Sequence, residues 1–322
     1  MSAKGRRKGG PLLGMISARL TNTTILENVL DGERMAQTIA EVVERFGLES
    51  VPLTFADFSA MAECCGCEIY FQQDVLPMVV SHPVKTREDI AGLRIPDPQE
   101  DGRLPELIRS ARRLAARFPT LSKSVTCFGP FTLAGHLSGV EYLSRKTLSD
   151  PDYVNELLDF CVAAILDYAG AMVEVGANLI FLGDPTASLL SPKAYREFAG
   201  AATRKLVEQL KVPALLHICG NTTHLIEEMC ATGVKGLSLD APVHLPSAAR
   251  RIPPQISLMG NLSPTGVLLT GTPQEVRQAT WQLMDEMKEF PNYRVASGCD
   301  LPPETPVENI LAMMEAIREY AG

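Results

Sequence analysis

Several features that define other classes of protein are scarce in this chain of 322 residues. It has only 1 Trp, and no apolar run approaches the roughly 18–20 residues of a membrane span. Positive charge is in deficit, because 30 Lys and Arg face 38 Asp and Glu, for a net charge of −8. The sequence therefore predicts a soluble protein that acts without nucleic acid or a membrane.

A secretory signal is not predicted at the N-terminus. The first residues, MSAKGRRKGGPLLGMIS, are basic, but the apolar stretch within them is too short for a signal peptide. We therefore expect a cytoplasmic location, where the 8 cysteines are thiols rather than disulfides. Some of these thiols become candidate metal ligands.

Short apolar runs typical of buried strands alternate with longer helical patterns along almost the whole chain. The candidate strands are Pro11–Ile16, Val51–Phe55, Ser124–Phe128, Asn178–Leu182, Pro213–Ile218, Lys235–Leu239, Gln255–Met259 and Tyr293–Ala296. Eight strands alternating with helices indicate a closed (β/α)8 barrel, and an open doubly wound sheet is the alternative. We predict an α/β fold, a single TIM barrel over residues 11–322 behind a basic N-terminal stub, residues 1–10.

The segment after the second predicted strand does not fit a single strand-to-helix unit. Residues 63–99 contain a strand-like stretch, Cys67–Gln72, and several prolines. We therefore predict that they form an inserted lobe between strands 2 and 3 of the barrel. Cys64, Cys65 and Cys67 lie in this lobe, but they lack a partner pair at zinc spacing and are predicted to be buried packing residues.

Metal-ligand residue types follow two of the predicted strands, at the end of a barrel where active sites lie. His217 and Cys219 are two residues apart at the end of one strand, so both side chains point to the same face. Cys299 follows the last strand and is a candidate third ligand. One nitrogen and two sulfur donors suit Zn²⁺ and leave a position for substrate. Because two thiolates neutralise the ion, the site suits a thiol nucleophile better than hydrolysis.

Other polar residues follow the remaining strands and form a wider set of candidates. We predict catalytic roles for Asp184, Asp240 and His136, of which His136 is expected on the loop after the third strand. Asp240 is also a candidate fourth metal ligand, whereas a capping role is the alternative for Asp184. Asn261 and Asp57 are candidate contacts to a cofactor, and residues that only shape the rim are the alternative.

The segments around these residues share a pattern with a known family. They are FGPFTLA at 128–134, DPTAS at 184–188, HICG at 217–220, MGNL at 259–262 and SGCDLPPETP at 297–306. They resemble the uroporphyrinogen decarboxylase superfamily, specifically its zinc-dependent corrinoid methyltransferase branch, typified by methylcobamide:coenzyme M methyltransferases. The resemblance implies a (β/α)8 barrel with Zn²⁺ on His217, Cys219 and Cys299.

The same resemblance implies a reaction and a partner. A methyl group would move between a corrinoid, supplied by a separate carrier protein, and a thiol such as coenzyme M. Demethylation of a methylated substrate onto Co(I) corrinoid is one alternative, and a cofactor-free decarboxylase is another. The decarboxylases carry Gly-His-Gly where this chain has Gly298-Cys299-Asp300, which argues against decarboxylation.

Overall fold

The computed structural model describes residues 9–320, which form ten strands and sixteen α-helices. The strands are β1 (Gly9–Leu12), β2 (Ser50–Pro52), β3 (Ile69–Tyr70), β4 (Met78–Val79), β5 (Ser122–Phe128), β6 (Leu179–Gly183), β7 (Ala214–Ile218), β8 (Gly236–Leu239), β9 (Ser257–Leu262) and β10 (Tyr293–Asp300). The helices are α1 (Ile16–Leu20), α2 (Ile25–Leu30), α3 (Gly32–Phe46), α4 (Ser59–Cys64), α5 (Arg87–Ala91), α6 (Leu104–Arg117), α7 (Pro130–Ser138), α8 (Val140–Ser149), α9 (Pro151–Glu174), α10 (Pro192–Glu197), α11 (Ala199–Val207), α12 (Ile226–Cys230), α13 (Leu245–Ala249), α14 (Val267–Thr270), α15 (Pro273–Glu286) and α16 (Val307–Glu319).

Eight of the strands form one parallel sheet in the order β1-β10-β9-β8-β7-β6-β5-β2. Each strand from β5 to β10 pairs with the next one along the chain, as in a TIM barrel. A doubly wound sheet would instead reverse its strand order at a switch point. The predicted barrel is therefore confirmed. Within residues 9–320 the edge strands of the sheet are β1 and β2, each hydrogen-bonded to a single neighbouring strand.

The first and last strands differ in length from the prediction. The predicted strand Pro11–Ile16 is wrong in its second half, because β1 ends at Leu12 and α1 begins at Ile16. The backbone there turns because the amides of Gly14 and Met15 donate to the Asp300 carboxylate, at 2.6 and 3.0 Å. Conversely, β10 runs to Asp300 although Ser297–Asp300 lacks the apolar residues that signal a strand. This extension brings Cys299 into the sheet.

Helices α9 and α10 each begin with a side-chain cap on the residue that precedes a proline. The Asp150 side chain accepts a hydrogen bond from the Tyr153 amide at the start of α9, at 3.3 Å. The Ser191 hydroxyl accepts from the Ala194 amide at the start of α10, also at 3.3 Å. The helical segment that begins at Pro192 is interrupted at Phe198, whose φ of −112° and ψ of −83° separate α10 from α11.

The lobe, residues 63–99, contains the antiparallel hairpin β3–β4 and helix α5. Its last part contacts the C-terminal turn of α7, where the Val84 amide donates to the Leu137 carbonyl at 3.0 Å. Lys85 Nζ donates to the Ser138 carbonyl at 2.6 Å. The division of the chain into stub, lobe and barrel stays a prediction, and residues 1–8 of the stub lie outside the described residues. Within the described part of the chain, no helix is both long and apolar enough to span a bilayer.

Candidate functional site

Three side chains meet at the carboxyl end of the sheet, as the sequence predicted. β7 carries His217, Cys219 follows this strand directly, and Cys299 lies near the end of β10. His217 Nε2 lies 3.1 Å from Cys219 Sγ, and Cys219 Sγ lies 3.6 Å from Cys299 Sγ. All three donor atoms fall within 4.8 Å of one another. Residues 80 positions apart therefore form one compact group of one nitrogen and two sulfur donors.

The His217 ring is held so that one nitrogen faces the sulfurs. Its Nδ1 lies 3.1 Å from the carbonyl oxygen of Ser238 and 3.2 Å from the hydroxyl of the same residue. A carbonyl accepts only, so Nδ1 carries the proton and Nε2 keeps a free lone pair. The Phe181 ring stacks on the imidazole with centroids 5.8 Å apart. A second hydrogen bond of this kind orients metal-binding histidines.

The contact between the two thiols shifts their pKa values in opposite directions. A hydrogen bond from Cys299 lowers the pKa of the Cys219 thiol. The same contact raises the pKa of Cys299, and burial adds to this rise. Ligand atoms around a tetrahedral Zn²⁺, with bonds of about 2.0–2.3 Å, lie roughly 3.3–3.8 Å apart. The observed spacings are close to this range, so the donor set fits Zn²⁺.

Asp240 and Asn261 form hydrogen bonds with the backbone of the loops around this group. The Asp240 carboxylate accepts hydrogen bonds from the backbone amides of Gly220, at 2.8 Å, and Ala241, at 2.7 Å. Asn261 Nδ2 donates to the carbonyls of Asp240, at 3.1 Å, and Val243, at 2.6 Å. Asp240 thereby fixes the turn that follows Cys219. Its role as a ligand, like a cofactor contact of Asn261, stays a prediction.

Asp184 is fully buried at the end of β6, next to the metal-ligand group. Its backbone amide donates to the His217 carbonyl at 2.9 Å. One carboxylate oxygen accepts from the amide and the hydroxyl of Thr132, both at 2.7 Å, whereas Oδ2 has no hydrogen-bond partner among residues 9–320. Burial raises the pKa of this carboxyl to about 6. These contacts tie β6 to α7, and a catalytic role of Asp184 stays a prediction.

Asp57 lies in an ion-pair network rather than at an open position. Its side chain is buried and pairs with Arg103, while the amide and hydroxyl of Ser59 donate to its other oxygen, at 2.9 and 2.6 Å. Arg103 also donates to Glu63 at 2.7 Å. Both carboxylate oxygens are therefore occupied, and a cofactor contact of Asp57 stays a prediction. No sequence pattern singles out Arg103, which lies far from any predicted strand end.

His136 lies in helix α7, so its expected place on a loop is wrong. Pro130, at the first position of α7, starts the helix immediately after β5. The His136 ring meets Phe128 edge to face, with centroids 5.6 Å apart, and Phe128 meets Phe58 at 5.0 Å. We call Phe58, Phe128 and His136 the aromatic wall. Neither phenylalanine is recognisable from the sequence as a site residue, because aromatic residues near strand ends usually belong to the core.

Comparison with known proteins is decisive for the family. Residues 6–320 match the model of the uroporphyrinogen decarboxylase (URO-D) family. The chain belongs to this family. The prediction made from the sequence motifs is thereby confirmed.

Curated relatives and a solved structure are methyltransferases, in agreement with the predicted branch. The chain is 33 % identical over 302 residues to a methylcobamide:CoM methyltransferase of Methanosarcina mazei, covering 90 % of this chain and 85 % of the relative. It is 30 % identical over 293 residues to a methylated-thiol–coenzyme M methyltransferase of the same organism, covering 90 % and 77 %. A solved methyltransferase from Methanosarcina mazei superposes with a TM-score of 0.90 at 26 % identity, covering 98 % and 95 % of the two chains.

Proposed function

We propose that this protein is a zinc-dependent methyltransferase that moves a methyl group between a protein-bound corrinoid and a thiol such as coenzyme M. The observation that carries the proposal is the compact group of His217, Cys219 and Cys299 at the mouth of the barrel. The names of the relatives support the corrinoid and the thiol as the two reactants. Three protein ligands leave one position for substrate, as catalytic rather than structural zinc sites do.

His217, Cys219 and Cys299 would hold the ion. Zn²⁺ bound by these residues would keep an incoming thiol deprotonated at neutral pH, because the cation stabilises the thiolate. The chain's own residues fix the site around it. Ser238 keeps Nε2 of His217 directed at the sulfurs, and Asp240 holds the turn after Cys219.

The proposed chemistry balances without a further reactant. The thiolate sulfur attacks the methyl carbon of the methyl-Co(III) corrinoid, a carbon–sulfur bond forms and the cobalt–carbon bond breaks. The electron pair of the broken bond stays on cobalt, so the products are a thioether and Co(I) corrinoid. The reverse reaction, demethylation of a methylated substrate onto Co(I), would use the same residues. A carrier protein would bring the corrinoid to the mouth of the barrel, in the cytoplasm.

The test measures metal content and methyl transfer together. Purified protein loaded with zinc is expected to hold about one Zn²⁺ per chain, and to demethylate methylcobalamin when a thiol is added. The absorbance change of methylcobalamin reports the rate for a panel of thiols that includes 2-mercaptoethanesulfonate. Methyl transfer at an undiminished rate in protein free of zinc would contradict the proposed zinc dependence. Zinc-loaded protein that uses no thiol in the panel would contradict the acceptor.

A further inference from the structure

The aromatic wall lies beside the candidate metal centre. Strand register places Phe128 next to Gly183, and Gly183 next to His217, so the three form one row across β5, β6 and β7. Neighbouring strands are about 4.8 Å apart, which puts the backbone of Phe128 roughly 10 Å from the backbone of His217. Gly183 makes room for the wall, because a Cβ atom there would lie 2.4 Å from Phe58 Cζ.

The wall ends in a hydrogen-bonding group that the protein itself does not use. The backbone carbonyl of His136 accepts from His82 Nδ1, at 2.7 Å, and from the Cys67 thiol, at 3.5 Å. Neither nitrogen of the His136 ring has a hydrogen-bond partner within residues 9–320. The side chain is half-buried, and its nitrogens are not among the fully buried unpaired atoms. They therefore retain contact with solvent and are free to hydrogen-bond to a ligand.

The charge state of the wall restricts what it can bind. Burial, together with the neighbouring His82, lowers the pKa of His136 to about 4, so the imidazole is neutral at physiological pH. Arg103 contacts Asp57 and Ser59, the residues on either side of Phe58 in the chain, and its charge is paired with Asp57 and Glu63. The wall thus presents apolar ring faces and one neutral hydrogen-bonding group. This combination suits a neutral, largely apolar ligand surface rather than an anion.

We propose that the aromatic wall contacts the edge of the corrin ring, and that His136 positions the ring by a hydrogen bond to one of its amide side chains. The inference rests on the proposed function. A corrin carries methyl groups and neutral amide side chains around its edge, which match the chemistry of the wall. Its cobalt must lie over the reacting sulfur at the metal centre, so the ring edge extends sideways across the mouth. A small thiol bound at the metal centre would not span the distance to His136.

The experiment separates corrinoid binding from thiol binding. Equilibrium dialysis against methylcobalamin, without thiol, gives the Kd of zinc-loaded wild type and of the variants His136→Phe and His136→Gln. Steady-state rates give the KM values for methylcobalamin and for the thiol. His136→Phe keeps the ring contact with Phe128 but loses the hydrogen bond, and should raise the Kd and KM for methylcobalamin about fivefold. His136→Gln keeps a neutral hydrogen-bonding group and should stay within about twofold of wild type. The thiol KM and the zinc content should not change.

A control variant and a second substitution keep the result interpretable. His244→Ala removes another histidine, which bonds to Ser247 near α13, and should leave every value unchanged. Phe128→Leu removes an aromatic face from the wall without touching His136 and should also weaken methylcobalamin binding. Thermal unfolding curves check that each variant is folded.

Two results would overturn the inference. One is an increase in the thiol KM with an unchanged Kd for methylcobalamin, which would assign the wall to the thiol. The other is methylcobalamin binding that is undetectable in wild type or equal in wild type and His136→Phe. Failure of the proposed function looks different: the protein would bind methylcobalamin in a His136-dependent way and yet transfer its methyl group to no thiol.

Discussion

Two regions of the molecule hold clusters of cysteine, and they differ in what surrounds the sulfurs. In the lobe, burial raises the thiol pKa of Cys64, Cys65 and Cys67 to about 11, 12 and 11. At the metal centre, Cys219 and Cys299 lie 3.6 Å apart, and their contact lowers the pKa of Cys219. The same residue type is therefore kept protonated by burial in the lobe, whereas in the other region a contact between two thiols lowers the pKa of one and raises the pKa of the other.

The difference comes from backbone geometry rather than from spacing in the sequence. Cys64 ends α4, and its thiol donates to the Asp101 carbonyl at 3.4 Å, whereas the Cys67 thiol donates to the His136 carbonyl at 3.5 Å. These neighbours in sequence thus bond to different parts of the chain. Cys219 and Cys299 are 80 residues apart but lie at the ends of strands in one parallel sheet, where their side chains converge. Strand ends, not cysteine density, identify the metal centre.

The largest difference is expected between substitutions of one cysteine in each cluster. Cys299→Ala removes one of three ligands and should abolish stoichiometric zinc binding, with a loss of methyl transfer of about 1000-fold or more because the thiol is no longer deprotonated at the site. Cys64→Ala, in the lobe, should retain about one zinc per chain and a rate within twofold of wild type. Metal analysis and the methylcobalamin assay give both numbers. Equal loss in the two variants would show that the lobe cysteines also serve the metal centre.

Arg103 follows the lobe in the chain and forms ion pairs with Asp57 and Glu63, a kind of contact that the three candidate metal ligands do not make. Arg103→Met leaves the Asp57 side chain, which is 0 % exposed, without its charged partner. Breaking a buried ion pair in this way costs about 3–5 kcal/mol of unfolding free energy. Urea unfolding measures the loss. Arg109→Met, which breaks an exposed pair with Glu106, should cost less than about 1 kcal/mol. Comparable losses in both variants would contradict a structural role specific to Arg103.

The barrel and the three candidate metal ligands could be predicted from the sequence for the same reason. Buried parallel strands are continuous apolar runs, and polar residues that end such runs converge at one edge of the sheet. His217 and Cys219 stand at the end of one such run, whereas Cys299 lies three residues after the end of the last one. The strand around Cys299 was underestimated, since Ser297–Asp300 owes its extended backbone to pairing with β1 and to bonds from the Gly14 and Met15 amides.

Other parts of the site depend on contacts that have no local sequence signal. The pairing of Asp57 with Arg103 joins residues 46 positions apart, one in the loop after β2 and the other immediately before α6. The aromatic wall exists because Gly183 leaves a gap that Phe58 fills. In a single sequence, such a glycine cannot be distinguished from one that only turns the chain. Both contacts depend on tertiary packing, which cannot be predicted from hydrophobic periodicity along the chain.

The smallest effect is expected from a change to the hydrogen bonds that orient His217. The lobe cysteines have no corresponding histidine, since within residues 9–320 they belong to no candidate metal group. Ser238→Ala removes the hydroxyl 3.2 Å from Nδ1 of His217 but keeps the backbone carbonyl at 3.1 Å. Loss of a hydrogen-bond partner of a ligating histidine weakens metal binding by about 10–100-fold, and the remaining carbonyl should hold this loss to about tenfold or less. Competition with a chromophoric chelator measures the zinc affinity. Ser257→Ala, which removes a hydroxyl from neighbouring β9, should leave it unchanged. A loss as large as that in Cys299→Ala would mean that the hydroxyl, not the carbonyl, orients the imidazole.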